Sequence, residues 1–200
     1  MLQPDAAPPA ARPTPPTAPP TVPVVGFDLD MTLVDSSEGI GATLRAALGE
    51  FGVDVPPAAV DPFAGLPLEM IVAGVAPGTP PDVVAAAAAR YKELYPALGV
   101  ASVRAFPGAA RALAAPAAHG GRGVVVSAKH TPNVHRVLAA AGLDAGLDPR
   151  DVAGDLFGDA KGPFLAAAGA TGYVGNHPGD VAAEPVAGAV AVGVTTGAHD

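Results

Sequence analysis

Two carboxylates stand two residues apart in the stretch Phe27-Asp28-Leu29-Asp30-Met31-Thr32. They follow Val22 to Phe27, a short β-branched apolar run suited to a central parallel strand. In an extended segment residues i and i+2 point the same way, so Asp28 and Asp30 can face one substrate. One can attack while the other carries a proton. Together they can hold a hard cation such as Mg²⁺, which takes oxygen ligands. In open α/β sheets ligands bind beyond the carboxyl ends of the strands, where this pair falls. Taken alone, the same pattern is also that of a strand ending in an Asp turn or a helix cap.

Three later segments offer complementary groups. Gly123 to Ser127 is an apolar run ending in a hydroxyl, followed by Ala128-Lys129-His130. After it, Thr131-Pro132 reads as a helix N-cap and first-turn proline, with Gly142 as the stop. Asp159-Ala160-Lys161-Gly162-Pro163 places a lysine at a helix start, in a chain whose only lysines are Lys92, Lys129 and Lys161. Tyr173-Val174-Gly175-Asn176-His177-Pro178-Gly179-Asp180 sets an amide and a carboxylate after one more strand.

In this order the four segments resemble the motifs of the haloacid dehalogenase-like (HAD) hydrolases, and the resemblance runs from about Pro23 to Gly197. The first motif is Asp-x-Asp-x-Thr, with Met31 where most members carry glycine. Ala128-Lys129-His130 is similar to the Thr-Asn-Lys of phosphoglycolate phosphatase-like members. Gly162 separates Lys161 from the proline that often follows it directly. Asn176 replaces the first acid of Gly-Asp-x-x-x-Asp.

The resemblance implies an α/β fold: a Rossmann-like parallel sheet flanked by helices, with a small all-helical cap inserted after the first strand. Residues 23–36 and 105–200 would form the core domain and 37–104 the cap. It also implies roles. Asp28 would attack phosphorus, and Asp30 would protonate the leaving group and then activate water. Thr32 would shape the loop, Ser127 would bind a phosphoryl oxygen, and Lys161 would neutralise charge. Asp28, Asp30, Asn176 and Asp180 would form a Mg²⁺ site, weakened by the missing charge at Asn176. The expected activity is Mg²⁺-dependent hydrolysis of a small phosphorylated metabolite through an aspartyl-phosphate. Dehalogenase chemistry lacks the second acid, so Asp30 points to phosphate esters. A phosphomutase similar to β-phosphoglucomutase would share both acids. Asn176 and a proline at Pro185, where a helix would run, motivate a third reading, a weak or inactive phospholigand-binding protein.

The elements that must position these groups are legible in outline. Between the first two motifs, Ile40, Leu44, Ala47, Leu48 and Phe51 recur at helical spacing, and a second helical pattern spans Asp82 to Leu98. Arg45, Arg90, Lys92 and Arg104 are the cap cations available to an anionic substrate. Residues 1 to 23 hold nine prolines, so residues 1–22 are expected to be a disordered tail.

Composition narrows the function further. Hydrophobic residues make up 50% and aromatics 4%, enough for a core that is mostly aliphatic. A net charge of −8 argues against an extended nucleic-acid surface. The absence of cysteine excludes disulfides and thiolate chemistry. No apolar stretch is long enough for a membrane span. With no basic, apolar leader, the expectation is a cytoplasmic protein. No dinucleotide fingerprint, Walker loop, nucleophile elbow or His-Glu-x-x-His pattern occurs, and oligomeric state is left open. His177 is the one histidine expected near the site, because it lies inside the fourth motif.

Overall fold

A five-stranded parallel sheet carries the site, in a computed structural model that describes residues 22–180 and 189–197. Its strands are β1 (Val24–Phe27), β4 (Arg122–Val126), β5 (Val152–Ala153), β6 (Gly172–Gly175) and β7 (Val190–Gly193), in the spatial order β5-β4-β1-β6-β7. A separate antiparallel pair joins β2 (Val34–Asp35) to β3 (Arg104–Ala105). The apolar runs read from the sequence become the middle of the sheet. Val124, Val125 and Val126 are fully buried, and Phe27 nearly so. Strand order reverses around β1: the chain passes to β4 and β5 on one side, then crosses back to β6 and β7 on the other. That reversal opens a crevice at the carboxyl ends of β4, β1 and β6, which are the strands preceding the second, first and fourth motifs.

Among the described residues the sheet is accompanied by the α-helices α1 (Ser37–Gly49), α2 (Leu68–Val75), α3 (Pro81–Leu98), α4 (Ala109–Ala114), α5 (Thr131–Ala140) and α6 (Gly162–Ala168). Between β2 and β3 every described helix or strand is helical, and the β2–β3 pair stands where this insert leaves and rejoins the sheet. Burial of Ile40, Leu44, Ala47 and Leu48 on α1 against Ala87, Tyr91 and Tyr95 on α3 makes the insert continuous with the core. The same cluster includes Phe27, Val125, Val134 and Val137 on one sheet face, while Val124, Val126, Leu165 and Tyr173 form the core of the other.

Two local expectations are corrected. Phe51 does not join the buried face of α1: the helix ends at Gly49, the chain turns, and the ring is 41% exposed. Nor is Thr131 the N-cap of α5. It is already helical, and the cap comes from a distant residue, Asp155, whose Oδ2 accepts from the Thr131 N–H at 3.0 Å and from its hydroxyl at 3.1 Å. The proline-rich tail through Thr21, Pro185 and His199 lie outside the described residues. Among the described residues no helix is long and apolar enough to cross a membrane.

Candidate active site

The loop after β1 turns sharply enough to bring its side chains back over the strand. The N–H groups of Thr32, Leu33 and Val34 all donate to the Leu29 carbonyl, and Met31 donates to Val34. Met31 pays for this turn with φ of 59°, the left-handed conformation, which costs a side-chain-bearing residue about 1–2 kcal/mol. That explains why glycine is the usual choice there. The Asp28 N–H meanwhile extends the β1–β6 ladder to the Val174 carbonyl at 2.9 Å, fixing the backbone of the first carboxylate to the sheet.

Asp28 is buried, and Lys161 Nζ donates to its Oδ1 at 2.8 Å. Lys161 is delivered by the turn Gly158–Lys161 just before α6, and it is itself 1% exposed. Burial pushes the Asp28 carboxyl up to about 7, with Lys161 pulling the other way and Asp180 reinforcing the rise. Burial opposes the charge on Lys161, but pairing with Asp28 and Asp180 outweighs it and holds the ammonium above the ordinary lysine range.

Asp180 turns back toward Lys161 rather than outward. Its Oδ1 accepts from Lys161 Nζ at 2.7 Å and from the Tyr173 hydroxyl at 3.1 Å, and its Oδ2 accepts from the His177 N–H at 3.0 Å. Gly175 makes room: a Cβ there would collide with the Asp180 carboxylate. The Tyr173 hydroxyl also accepts from Lys161 Nζ at 2.7 Å. Burial, and then the charges of Asp28 and Asp180, push this phenol well above its ordinary value.

Asp30 has its own partners. Ser36 Oγ donates to Oδ1 at 2.5 Å, and Lys129 Nζ lies 3.1 Å from Oδ2. The same ammonium sits 4.3 Å from the centroid of the Tyr95 ring on α3. Burial opposes the charge on Lys129, and the pairing with Asp30 more than restores it, so Lys129 titrates above its usual range. Thr32 Oγ1 donates to Asn176 Oδ1 at 3.0 Å, linking the β1 loop to the β6 loop. Ser127 is 1% exposed, and its Oγ accepts from the Lys129 N–H at 3.2 Å. The structure therefore brings Asp28, Asp30, Thr32, Ser127, Lys161, Asn176 and Asp180 to one end of three adjacent strands.

A cavity of about 190 Å³ opens beside Asp30, between the insert and the sheet. Ile40, Leu66, Leu68 and Ile71 give it an apolar wall, and Lys92, Lys129, His130 and Asn133 add polar groups. Of the four insert cations singled out in the sequence, only Lys92 lines it. Arg90 is spent on Glu50 and Glu93, and Arg104 donates to the carbonyls of Ala101 and Val103. Arg45 is not among the lining residues. His177 accepts from the Gly179 N–H at 2.9 Å through Nδ1, and its ring packs on Phe157.

Sequence reasoning assigned no role to Ser36, Tyr95 or Tyr173. Position in a motif could have drawn attention to Tyr173, but nothing local marks the other two.

Known proteins share this fold. The family model for haloacid dehalogenase-like hydrolases matches residues 25–183. A protein described as a haloacid dehalogenase-like hydrolase from Bacteroides fragilis is 25% identical, with a TM-score of 0.75 and coverage of 90% of each chain. A predicted phosphatase from Clostridium acetobutylicum superposes with a TM-score of 0.77 at 22% identity, covering 90% of this chain and 87% of that one. A predicted phosphoglycolate phosphatase from Haemophilus somnus gives a TM-score of 0.69 at 22% identity, covering 87% and 85% respectively. No curated protein matches the chain significantly. The matched span takes in both acids of the β1 loop, Ser127, Lys161, Asn176 and Asp180, and on that match the chain belongs to the haloacid dehalogenase-like hydrolases.

Proposed function

We propose that this hydrolase is a phosphatase that cleaves a small phosphate monoester through an aspartyl-phosphate on Asp28, with Mg²⁺ as cofactor. The observation that carries the reading is the buried Asp28–Lys161 pair at 2.8 Å, set beside a second carboxylate, Asp30, that lines a cavity. Lys161 holds Oδ1 of Asp28, which leaves Oδ2 as the attacking oxygen. As the O–P bond forms, the ester P–O bond breaks and its electron pair leaves with the alkoxide. Asp30 gives that oxygen a proton. Water then attacks phosphorus, Asp30 takes a proton back, and inorganic phosphate leaves as the Asp28–phosphorus bond breaks. Ser127 offers a hydroxyl to a phosphoryl oxygen, and Thr32 keeps the loop in place through Asn176.

The donor set fits Mg²⁺ in kind: the Asp28 carboxylate, the Asp30 backbone carbonyl and the Asn176 amide oxygen are all hard oxygens. It fits with reduced charge, because Asn176 is neutral and its oxygen already accepts from Thr32. Asp180 commits both oxygens to Lys161, Tyr173 and the His177 N–H, which suits it to holding Lys161. A bound Mg²⁺ supplies neutralisation of charge on the phosphoryl oxygens.

The names of two structural relatives, a predicted phosphatase and a predicted phosphoglycolate phosphatase, support the reaction class. The small cavity supports a compact leaving group, with Lys92 available to an anionic one.

The test is hydrolysis of an aryl phosphate across a Mg²⁺ titration with an EDTA control. Turnover that rises with Mg²⁺ and stops in EDTA is the expected result. No turnover from folded protein on a panel of small phosphate esters would favour the second reading, a phospholigand binder with a weakened metal site, which the Thr32–Asn176 bond motivates. Restoring the charge sharpens the test. Asn176→Asp is expected to lower the Mg²⁺ concentration for half-maximal rate by roughly tenfold, about 1.4 kcal/mol of metal affinity. An unchanged Mg²⁺ requirement would remove Asn176 from the metal site.

A further inference from the structure

Lys161 is held more completely than a single ion pair requires. A lysine ammonium has three N–H donors and no acceptor. Here each donor has its own oxygen: Asp28 Oδ1 at 2.8 Å, Asp180 Oδ1 at 2.7 Å and the Tyr173 hydroxyl at 2.7 Å. The two carboxylates compete for the same cation, so neither by itself fixes where Nζ stands between them. The third acceptor does. Tyr173 lies on β6, its Cα directly paired with Gly26 of β1, so its hydroxyl is carried by the same pair of strands that carries Asp28. Lys161 arrives instead from a short helical turn outside the sheet. Groups held on strands are placed more exactly than groups held on turns.

The hydroxyl is also oriented. It accepts from Lys161 and donates to Asp180 Oδ1 at 3.1 Å, so its one proton and one acceptor site are both directed. The ring is 1% exposed and packs against Leu165 in the second core, which locks its rotation. Its centroid lies 5.4 Å from Nζ, so the ammonium sits beyond the hydroxyl end of the ring, almost in line with the C–O bond.

We propose that Tyr173 is a positioning residue that sets the place of the Lys161 ammonium against Asp28, and through it the line of attack of the nucleophile. The kinetic part of this proposal rests on the phosphatase reading; the contact itself does not.

Tyr173→Phe keeps the ring and removes only the hydroxyl. On an aryl phosphate kcat is expected to fall by about 10- to 100-fold, the range that small misplacements of reacting groups produce. KM should stay within about twofold, because the loss is confined to the transition state. A merely structural role would instead lower the melting temperature and leave kcat per folded molecule unchanged, and that outcome overturns the proposal.

A second readout does not depend on turnover. With three lysines in the chain, ¹⁵N-lysine labelling gives at most three side-chain ammonium signals. The Lys161 signal, assigned by its disappearance in Lys161→Arg, should exchange slowly with water in the wild type. In Tyr173→Phe it should shift and exchange at least about tenfold faster as one hydrogen bond is lost, while the Lys129 signal stays in place. An unmoved Lys161 signal overturns the proposal even if kcat falls. If the wild type shows no turnover but the signal responds as expected, the phosphatase reading fails and the placement of Lys161 by Tyr173 stands.

Discussion

Asp28→Asn is expected to abolish turnover and, at pH 8, to make the protein more stable. The first half follows from chemistry: an amide cannot form the aspartyl-phosphate, so a loss of at least about 10³-fold is expected, in line with removal of a nucleophile. The second half follows from burial. The Asp28 carboxyl is pushed from 3.8 up to about 7, chiefly by desolvation. In that interval the folded state binds more protons than the unfolded one, so stability falls as pH rises from about 4 to 7 and stays low above. That rise of the Asp28 carboxyl corresponds to at most about 4 kcal/mol. Asn removes that penalty but deprives Lys161 of one partner, so a net gain of about 1–2 kcal/mol is expected, roughly 2–8 °C in melting temperature. At pH 5, where the wild-type carboxyl is already largely protonated, the gain should shrink toward zero. Melting curves of both proteins at pH 5 and 8 test this. Destabilisation at pH 8 would mean that attraction to Lys161 outweighs burial. Retained turnover would sink the nucleophile assignment. The wild type should show the complementary limb: in metal-limited conditions kcat/KM rises with pH up to about 7, where Asp28 ionises, and added Mg²⁺ moves that limb to lower pH.

What the sequence made legible was whatever a local pattern encodes. A buried strand announces itself by an apolar run, and the motifs follow such runs directly, so β1, β4 and β6 and the groups after them could be placed in order. The i, i+2 spacing of Asp28 and Asp30 carried information because backbone geometry is local. Partners joined through space were not legible. Ser36 reaches Asp30 only because Met31 adopts a left-handed conformation, and no residue type at 31 states that. The cap of α5 comes from Asp155, 24 residues away, so Thr131 was mistaken for its own cap. Phe51 kept helical spacing past the end of its helix, and periodicity alone could not say where the helix stopped. Tyr173 stood inside a motif, but its role depends on the approach of Lys161 and Asp180 around it. The insert cations illustrate the same limit: charge was visible in four residues, yet Glu50 at the end of α1 and Glu93 on α3 hold Arg90, backbone carbonyls hold Arg104, and only the fold reveals Lys92 at the cavity.

Lys129→Met should strongly destabilise the fold. Its side chain is 6% exposed and that of Asp30 is 4% exposed, at 3.1 Å, so the pair is out of water. Removing one member leaves a buried carboxylate with Ser36 as its remaining side-chain donor, and breaking such a pair costs about 3–5 kcal/mol. At this chain size that is a drop of roughly 6–20 °C in melting temperature. The loss is specific to the charge, so Asp30→Asn in the same chain should restore most of it, whereas loss of packing on Tyr95 would not be restored. Calorimetry on the two single variants and the double variant at pH 7.5 separates these cases. A Lys129→Met protein within about 1 kcal/mol of wild type would mean that water in the cavity solvates Asp30 and the pair is of little consequence. The charge count makes the larger effect the expected one. Asp28, Asp30 and Asp180 are all buried, and Lys129 and Lys161 are the two ammonium groups paired with them. With all three acids ionised the cluster carries one excess negative charge, which is what a site built to take a cation requires. Deleting Lys129 raises that excess to two, against the low dielectric of the core, and Asp30 is the carboxylate that then lacks a cation.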